Sequence, residues 1–283
     1  MTAVHEMLEK APYLRVDEEV IVRLLTTALK EEVEKAGIEH VVIGLSGGLD
    51  SALALYLCVE AFGKDRVLAV RMPYKTSSAS SLEDAQAAID DTGVESLTVE
   101  ITPQVDAYFE RFPDASPLRR GNKMARERMS ILYDLSAARR ALVIGTSNKS
   151  ELLLGYGTQF GDLGSAVNPL GDLYKTQVRQ LAAYMKVPES IIAKPPSADL
   201  WEDQTDEKEL GFTYFDVDRL LYFLVDQRYD RDKCIAQGFD PEFVDGVARR
   251  IQINQYKRRT PVILKTSSRT VGIDFRYLRD WGL

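Results

Sequence analysis

The segment HVVIGLSGGLDSALAL, residues 40–55, narrows the possible folds of this 283-residue chain more than any other stretch. A run of β-branched residues passes through Gly44-Leu45-Ser46-Gly47-Gly48 directly into a helical pattern. Strand, tight turn and helix in that order is the opening of a crossover unit, which builds parallel sheets. The pattern recurs. Short apolar runs at residues 41–45, 67–72, 97–101 and 141–145 alternate with helical periodicity at 51–62, 82–91 and 124–140. The runs are nearly continuous, as strands covered on both faces should be. An amphipathic helix over residues 17–36 precedes them, its apolar stripe running from Val20 to Val33.

After about residue 147 the alternation stops. Glycine-rich, irregular sequence leads to a helix at 176–186, and residues 194–211 (KPPSADLWEDQTDEKELG) read as a surface loop. Helical patterns resume at 212–229 and 241–259. The expected architecture is α/β, a parallel sheet flanked by helices with a helical C-terminal extension. One domain is expected over 1–283, with the core at about 38–200 and the extension at about 201–283.

Gly44-Leu45-Ser46-Gly47-Gly48 fits the elbow that presents a nucleophilic serine, but that chemistry needs a later histidine as base. The only histidines are His5 and His40, both before Ser46. An unassisted hydroxyl is a poor nucleophile. A Walker loop fails too, because Asp50 stands where the lysine before the hydroxyl residue belongs. What remains is strand, S-G-G-x-D-S, helix. Small residues let backbone N–H groups converge at the positive helix end, with Ser46 and Ser51 as added donors. Asp50 would repel a bare phosphate and makes sense with Mg²⁺ between them. Thr146 and Glu151 follow the fourth strand and so face the same crevice at the strands' carboxyl ends. There Glu151 is a candidate second metal ligand.

Ser46-Gly47-Gly48-Leu49-Asp50-Ser51 resembles the pyrophosphate loop of enzymes that cleave ATP to AMP and pyrophosphate. GTSNKSELLLGYGTQFGDLGSAVNPLGDLYKTQ (145–177), KPPSADLWEDQTDEKELG, GNKMARERM (121–129) and VRMPY (70–74) resemble one branch of them, the NH₃-dependent NAD synthetases. The resemblance implies a Rossmann-like nucleotide-binding fold and amidation of deamido-NAD with ATP and ammonia. By that resemblance Gly44, Leu45, Ser46, Gly47, Gly48, Leu49, Asp50 and Ser51 hold the ATP phosphates. Arg71, Thr146, Ser197 and Lys175 also contact ATP, and Asp50 and Glu151 bind Mg²⁺. Arg126, Gln159, Ala166, Tyr256 and Lys257 fall on the deamido-NAD side, and Asp162 where ammonia arrives; Asp162 and Lys175 are the catalytic candidates. Many members carry lysine at the place of Gln159, aspartate at that of Ala166 and His-Lys where Tyr256-Lys257 stands.

Free ammonia is the expected nitrogen source. The stretch before His40 has no room for a glutaminase domain, and Cys58 and Cys234 lack a histidine-based setting. The resemblance further implies a homodimer; the apolar stripes at 20–33 and 129–138 suit either an interface or monomer core. Two rival readings are another amidating or thiolating ATP pyrophosphatase, such as a GMP synthetase, and a nucleotide-binding module without turnover. A net charge of −7 argues against a protein that wraps nucleic acid. No apolar run has the length of a membrane span. The N-terminus does not read as a secretory signal and the cysteines form no disulfide framework, so a cytoplasmic location is expected. Residues 77–83 and 201–210 are expected to be loops that substrate orders.

Overall fold

A computed structural model describes residues 3–197, 205–259 and 261–275. The α/β core holds β1 (His40–Gly44), α3 (Leu49–Phe62), β2 (Val67–Arg71), α4 (Ala79–Thr92), β3 (Glu95–Thr98), α5 (Thr102–Phe109), α6 (Pro117–Arg139) and β4 (Ala141–Ile144). Before it lie α1 (Ala3–Lys10) and α2 (Glu18–Lys35). After it come α7 (Lys149–Leu154), α8 (Lys175–Tyr184), α9 (Glu189–Ala193), α10 (Asp206–Leu210), α11 (Tyr214–Leu221), α12 (Arg231–Ala236) and α13 (Pro241–Ile253). All pairings in the sheet are parallel, in the order β3-β2-β1-β4. The order reverses between β1 and β4, which opens a crevice beyond their carboxyl ends.

Side chains alternate across the sheet with period two. Val41, Ile43, Val67 and Ala69 face a core shared with α2, α3, α8 and α9. Val42, Leu68, Val70 and Val143 face the other way, toward α5 and α6. α3 is buried on nearly every side, so its N-terminus is held rigidly at the crevice. A third core joins the N-terminal helix region to the C-terminal helices. Leu8, Ala11 and Leu14 pack with Tyr174, Leu220, Leu221 and Val244, beneath α11 and α13.

Several element boundaries differ from the sequence reading. β3 is Glu95–Thr98 rather than the apolar run at 97–101. It is an exposed edge strand, and its apolar successors bend inward: Val99 N–H donates to the Arg71 carbonyl (2.9 Å) and Ile101 N–H to that of Pro73 (2.9 Å). α6 begins at Pro117, because Ser116 caps it and proline is suited to the first turn. The loop expected at 77–83 is helical from Ala79 onward, where the Ser78 hydroxyl accepts from Ser81 N–H. Of the loop expected at 201–210, residues 201–204 lie outside those described, and Asp206–Leu210 forms α10. The apolar stripe of α2 serves mainly as core through Leu29 and Val33, although Val20 and Leu24 remain exposed. Among the described residues no helix is long and apolar enough to cross a membrane.

Candidate active site at the switch point

The loop after β1 is set by glycine geometry and hydroxyl pairing. Gly47 has φ 81°, and a Cβ there would lie 2.0 Å from the Ser81 carbonyl oxygen. Only glycine fits beneath the first turn of α4. Gly48 caps α3 with extended backbone. Ser51 Oγ donates to the Gly48 carbonyl (2.9 Å) and accepts from Ser46 N–H (3.2 Å), while Gly48 N–H donates to Ser46 Oγ (3.2 Å). These bonds wrap the loop around the positive end of α3.

β4 supplies the opposite wall. Asn148 caps α7: its Oδ1 accepts from Glu151 N–H (3.0 Å), and Glu151 Oε2 accepts from Asn148 N–H (3.3 Å). Asn148 Nδ2 also donates to Asp50 Oδ1 (2.9 Å), joining the two halves of the site. The Lys175 ammonium, at the start of α8, pairs with Asp50 and lies 3.5 Å from Glu151 Oε1. Lys175 is 3% exposed. Burial alone would lower its pKa, but Asp50 and Glu151 outweigh that and hold it above the usual lysine range. Burial and the nearby Asp50 charge push Glu151 upward to about 8, against the pull of Lys175.

These groups line one crevice of about 1250 Å³. Gly44, Leu45, Ser46, Gly48, Leu49, Asp50, Ser51, Thr146, Glu151, Lys175 and Ser197 all reach it. So do Arg126, Gln159, Asp162, Tyr256 and Lys257. Asp162 opens onto the crevice and accepts from Thr158 N–H (2.8 Å). The protein crowded around its carboxylate raises its pKa, and Lys257 opposes that rise. Lys257 Nζ donates to the carbonyls of Gly155 (2.7 Å) and Gly157 (2.9 Å), bracing the loop that leads to Asp162. Arg126 Nε reaches the Gln159 carbonyl (3.3 Å).

Three residues expected at the site do not line the crevice. Gly47 supports the loop from behind. Arg71 has the period-two orientation of Val67 and Ala69, so it turns to α4, where its guanidinium donates to Gln86 Oε1 (2.6 Å). Ala166 pairs its N–H with the Val143 carbonyl (2.9 Å) at the sheet margin.

Sequence reasoning missed Asn148, Tyr156, Lys194, Asp206, Tyr214 and Arg250. Asp206 is buried and accepts from Tyr156 (3.0 Å) and Tyr214 (3.2 Å), and the Tyr214 ring lies 5.2 Å from the Lys175 ammonium. Lys194 joins the crevice wall to α4 through Ser81 Oγ (3.1 Å) and Asp84 (2.9 Å). Arg250 reaches the crevice with its Nε buried and without a hydrogen-bond partner. Asn-Lys-Ser-Glu was the one legible signal, since it has the spacing of a capping box.

Asp50 and Glu151 present carboxylate oxygens to one cation position, which the Lys175 ammonium takes here. That donor set suits Mg²⁺, which takes one or two carboxylates and completes its shell with water and phosphate. Among the described residues no group of three or more His, Cys, Asp or Glu could hold a metal alone, so phosphate oxygens would complete the site.

The raised Glu151 pKa has a consequence for stability without Mg²⁺. The folded value lies above the unfolded one, so the group's stabilising contribution is complete below about pH 4.5 and is lost as pH rises through about 8. Glu151→Gln should therefore gain on the wild type as pH rises, so that its melting temperature relative to wild type is higher at pH 8.5 than at pH 5. Thermal melts at pH 5 and pH 8.5 test this; a variant that loses ground to wild type between those pH values contradicts it.

Comparison with known proteins agrees with this geometry. Residues 21–261 match the NAD synthase family. An NH₃-dependent NAD⁺ synthetase of Trichlorobacter lovleyi is 54% identical over 269 residues, covering 95% of this chain and 98% of its own. The solved NH₃-dependent NAD synthetase of Campylobacter jejuni, in complex with nitrate, superimposes with a TM-score of 0.76 at 38% identity, over 88% of this chain and 100% of that one. An NMN synthetase from Francisella tularensis gives 0.78 at 31% identity, over 88% and 99%. A pyrophosphate-type loop, an Asp50–Lys175–Glu151 cluster and full-length kinship of this degree lead to one conclusion: the chain belongs to the NAD synthase family.

Proposed function

We propose that the protein amidates deamido-NAD with ammonia, using ATP and releasing AMP and pyrophosphate, as the final step of NAD formation. The observation that carries this reading is the Lys175 cation shared by Asp50 and Glu151, beside a phosphate-type loop, in the crevice that also contains Asp162. A carboxylate does not react with ammonia directly, being anionic and lacking a good leaving group. Attack of the nicotinate carboxylate oxygen on the α-phosphorus forms the acyl adenylate and expels pyrophosphate. Ammonia then attacks the acyl carbon, and the C–O bond to AMP breaks.

In this reading the loop 44–51 and Lys175 bind the ATP phosphates and stabilise the charge that develops as pyrophosphate leaves. Asp50 and Glu151 would hold Mg²⁺, which when bound neutralises phosphate charge. Thr146 and Ser197 contact the nucleotide; Arg71 contributes only after leaving Gln86. Arg126, Gln159, Tyr256 and Lys257 face deamido-NAD, with Ala166 at the margin. Asp162 accepts a proton from ammonium or orients ammonia, and crowding that raises its pKa suits it to this. Asp162→Asn should slow NAD formation by roughly a hundredfold, within the span of general acid–base effects, while pyrophosphate release in a first turnover stays near wild type. Equal loss of both steps rejects that role.

A homodimer in the cytoplasm belongs to the same reading. Leu118 and Tyr133 of α6 are exposed, as is Arg126 between them, so a second copy over this face would close the deamido-NAD side. Light scattering tests this. The activity is tested by offering ATP, Mg²⁺ and ammonium with deamido-NAD, with nicotinate mononucleotide and with xanthylate in parallel. Joint appearance of AMP and NAD with deamido-NAD supports the proposal. Turnover only with another acceptor, or ATP binding without AMP, overturns it.

A further inference from the structure

Asp218, on α11, is fully buried yet lies outside the crevice lining. Its Oδ1 accepts from Ser150 Oγ (2.5 Å), and its Oδ2 from Thr176 N–H (2.8 Å) and Thr176 Oγ1 (2.7 Å). Ser150 Oγ in turn accepts from Lys175 N–H (3.0 Å). Ser150 precedes Glu151 in the first turn of α7, and Thr176 follows Lys175 in the first turn of α8. A single carboxylate therefore ties the starts of both helices that carry the site's two chemical groups. At the start of α8 the Lys175 N–H goes to Ser150 and the Thr176 N–H to Asp218, so two of its first backbone donors are capped from other elements.

We infer that Asp218 is a positioning residue for the ATP half of the reaction, fixing Lys175 and Glu151 relative to Asp50 through Ser150 and Thr176. All three partners of Asp218 donate, so the charged carboxylate is the form that satisfies them. Burial pushes its pKa to about 6, against those donors, so at neutral pH the brace is in place. Alanine at this position would take the acceptor away from all three donors, whereas the Ser150 hydroxyl could accept from an asparagine N–H₂. Without that acceptor the Ser150 and Thr176 connections both break, and α7 and α8 are free to shift against each other. The role sits on the proposed ATP chemistry but not on the identity of the amidated carboxylate.

The test uses the full chain with Asp218→Ala, Ser150→Ala and the double variant. Calorimetry reads stoichiometry and Kd separately for Mg·ATP and for deamido-NAD, alongside kcat and melting temperature. Each single variant should bind both ligands at full stoichiometry, with deamido-NAD affinity unchanged. The Kd for Mg·ATP should rise about tenfold and kcat should fall tenfold or more, because small misplacements cost rate steeply. The double variant should lose little beyond the worse single one, since both act through one connection. A mere loss of fold would lower stoichiometry for both ligands alike. Unchanged Mg·ATP affinity and kcat in folded Asp218→Ala overturns the inference, as do multiplicative losses in the double variant. Should Asp218→Ala fail to fold, Ser150→Ala decides: it keeps both Thr176 contacts, and wild-type Mg·ATP affinity there overturns the inference. Wild-type protein that binds Mg·ATP but not deamido-NAD would refute the proposed activity instead, with the Mg·ATP readout still judging Asp218.

Discussion

Replacing Lys175 with methionine is expected to lower AMP formation by on the order of 10³-fold, the scale of losing a preorganised donor to developing charge. Methionine keeps much of the side-chain volume, so the loss is electrostatic. It also leaves Asp50 and Glu151 without the cation they share, and breaking a buried pair costs roughly 3–5 kcal/mol. Ligand-free Lys175→Met should therefore melt well below wild type, and Mg²⁺ should restore part of the difference by replacing the missing positive charge. The two readouts separate the roles of Lys175: Mg²⁺ can recover stability but not the contact to phosphate. Activity within tenfold of wild type would remove Lys175 from the chemistry. A melting temperature that responds to Mg²⁺ neither alone nor together with ATP would remove the two carboxylates from metal binding.

Gly47→Ala carries the second large effect. Left-handed backbone costs an alanine about 1–2 kcal/mol, but the collision with the Ser81 carbonyl matters more, because that atom belongs to helix backbone. The loop or the start of α4 must move by an ångström or more, and misplacement on that scale costs about 10²-fold. Mg·ATP affinity should fall by about that factor, with only a modest loss of melting temperature, since the loop lies at the crevice and not in the core. Gly48→Ala is the control for stability. There φ is negative and the nearest atom is the Ser46 hydroxyl at 3.3 Å, which can rotate away. Gly48→Ala should melt like wild type. Comparable ATP affinity in Gly47→Ala and wild type would contradict the tight fit under α4.

The same two glycines show how far the chain could be read in one dimension. Strand, glycine turn and helix are local, so the parallel sheet, α3 and the phosphate-type loop were legible from residues 40–55. Which glycine is indispensable was not, because the clash at Gly47 comes from Ser81, on another element. Glu151 was legible by its place after a strand. Its neighbour Asn148 was less so, because capping α7 and reaching Asp50 use the same side chain. Arg71 was expected at the crevice from its position at a strand end, but the alternation of side chains sends Met72 toward the crevice and Arg71 to α4. Asp206 and Asp218 lie in segments whose local pattern is only turn or amphipathic helix. Their importance comes from the packing of the C-terminal helices onto α7 and α8, which no local periodicity encodes.

The central claim is that a substrate carboxylate is activated at the α-phosphorus of ATP before ammonia displaces AMP. Deamido-NAD labelled with ¹⁸O in the nicotinate carboxylate tests this directly. After one turnover with ammonium and Mg·ATP, mass spectrometry should find one labelled oxygen in the phosphate of AMP and none in pyrophosphate. Label in inorganic phosphate, ADP as the nucleotide product, or unlabelled AMP formed with NAD would contradict it.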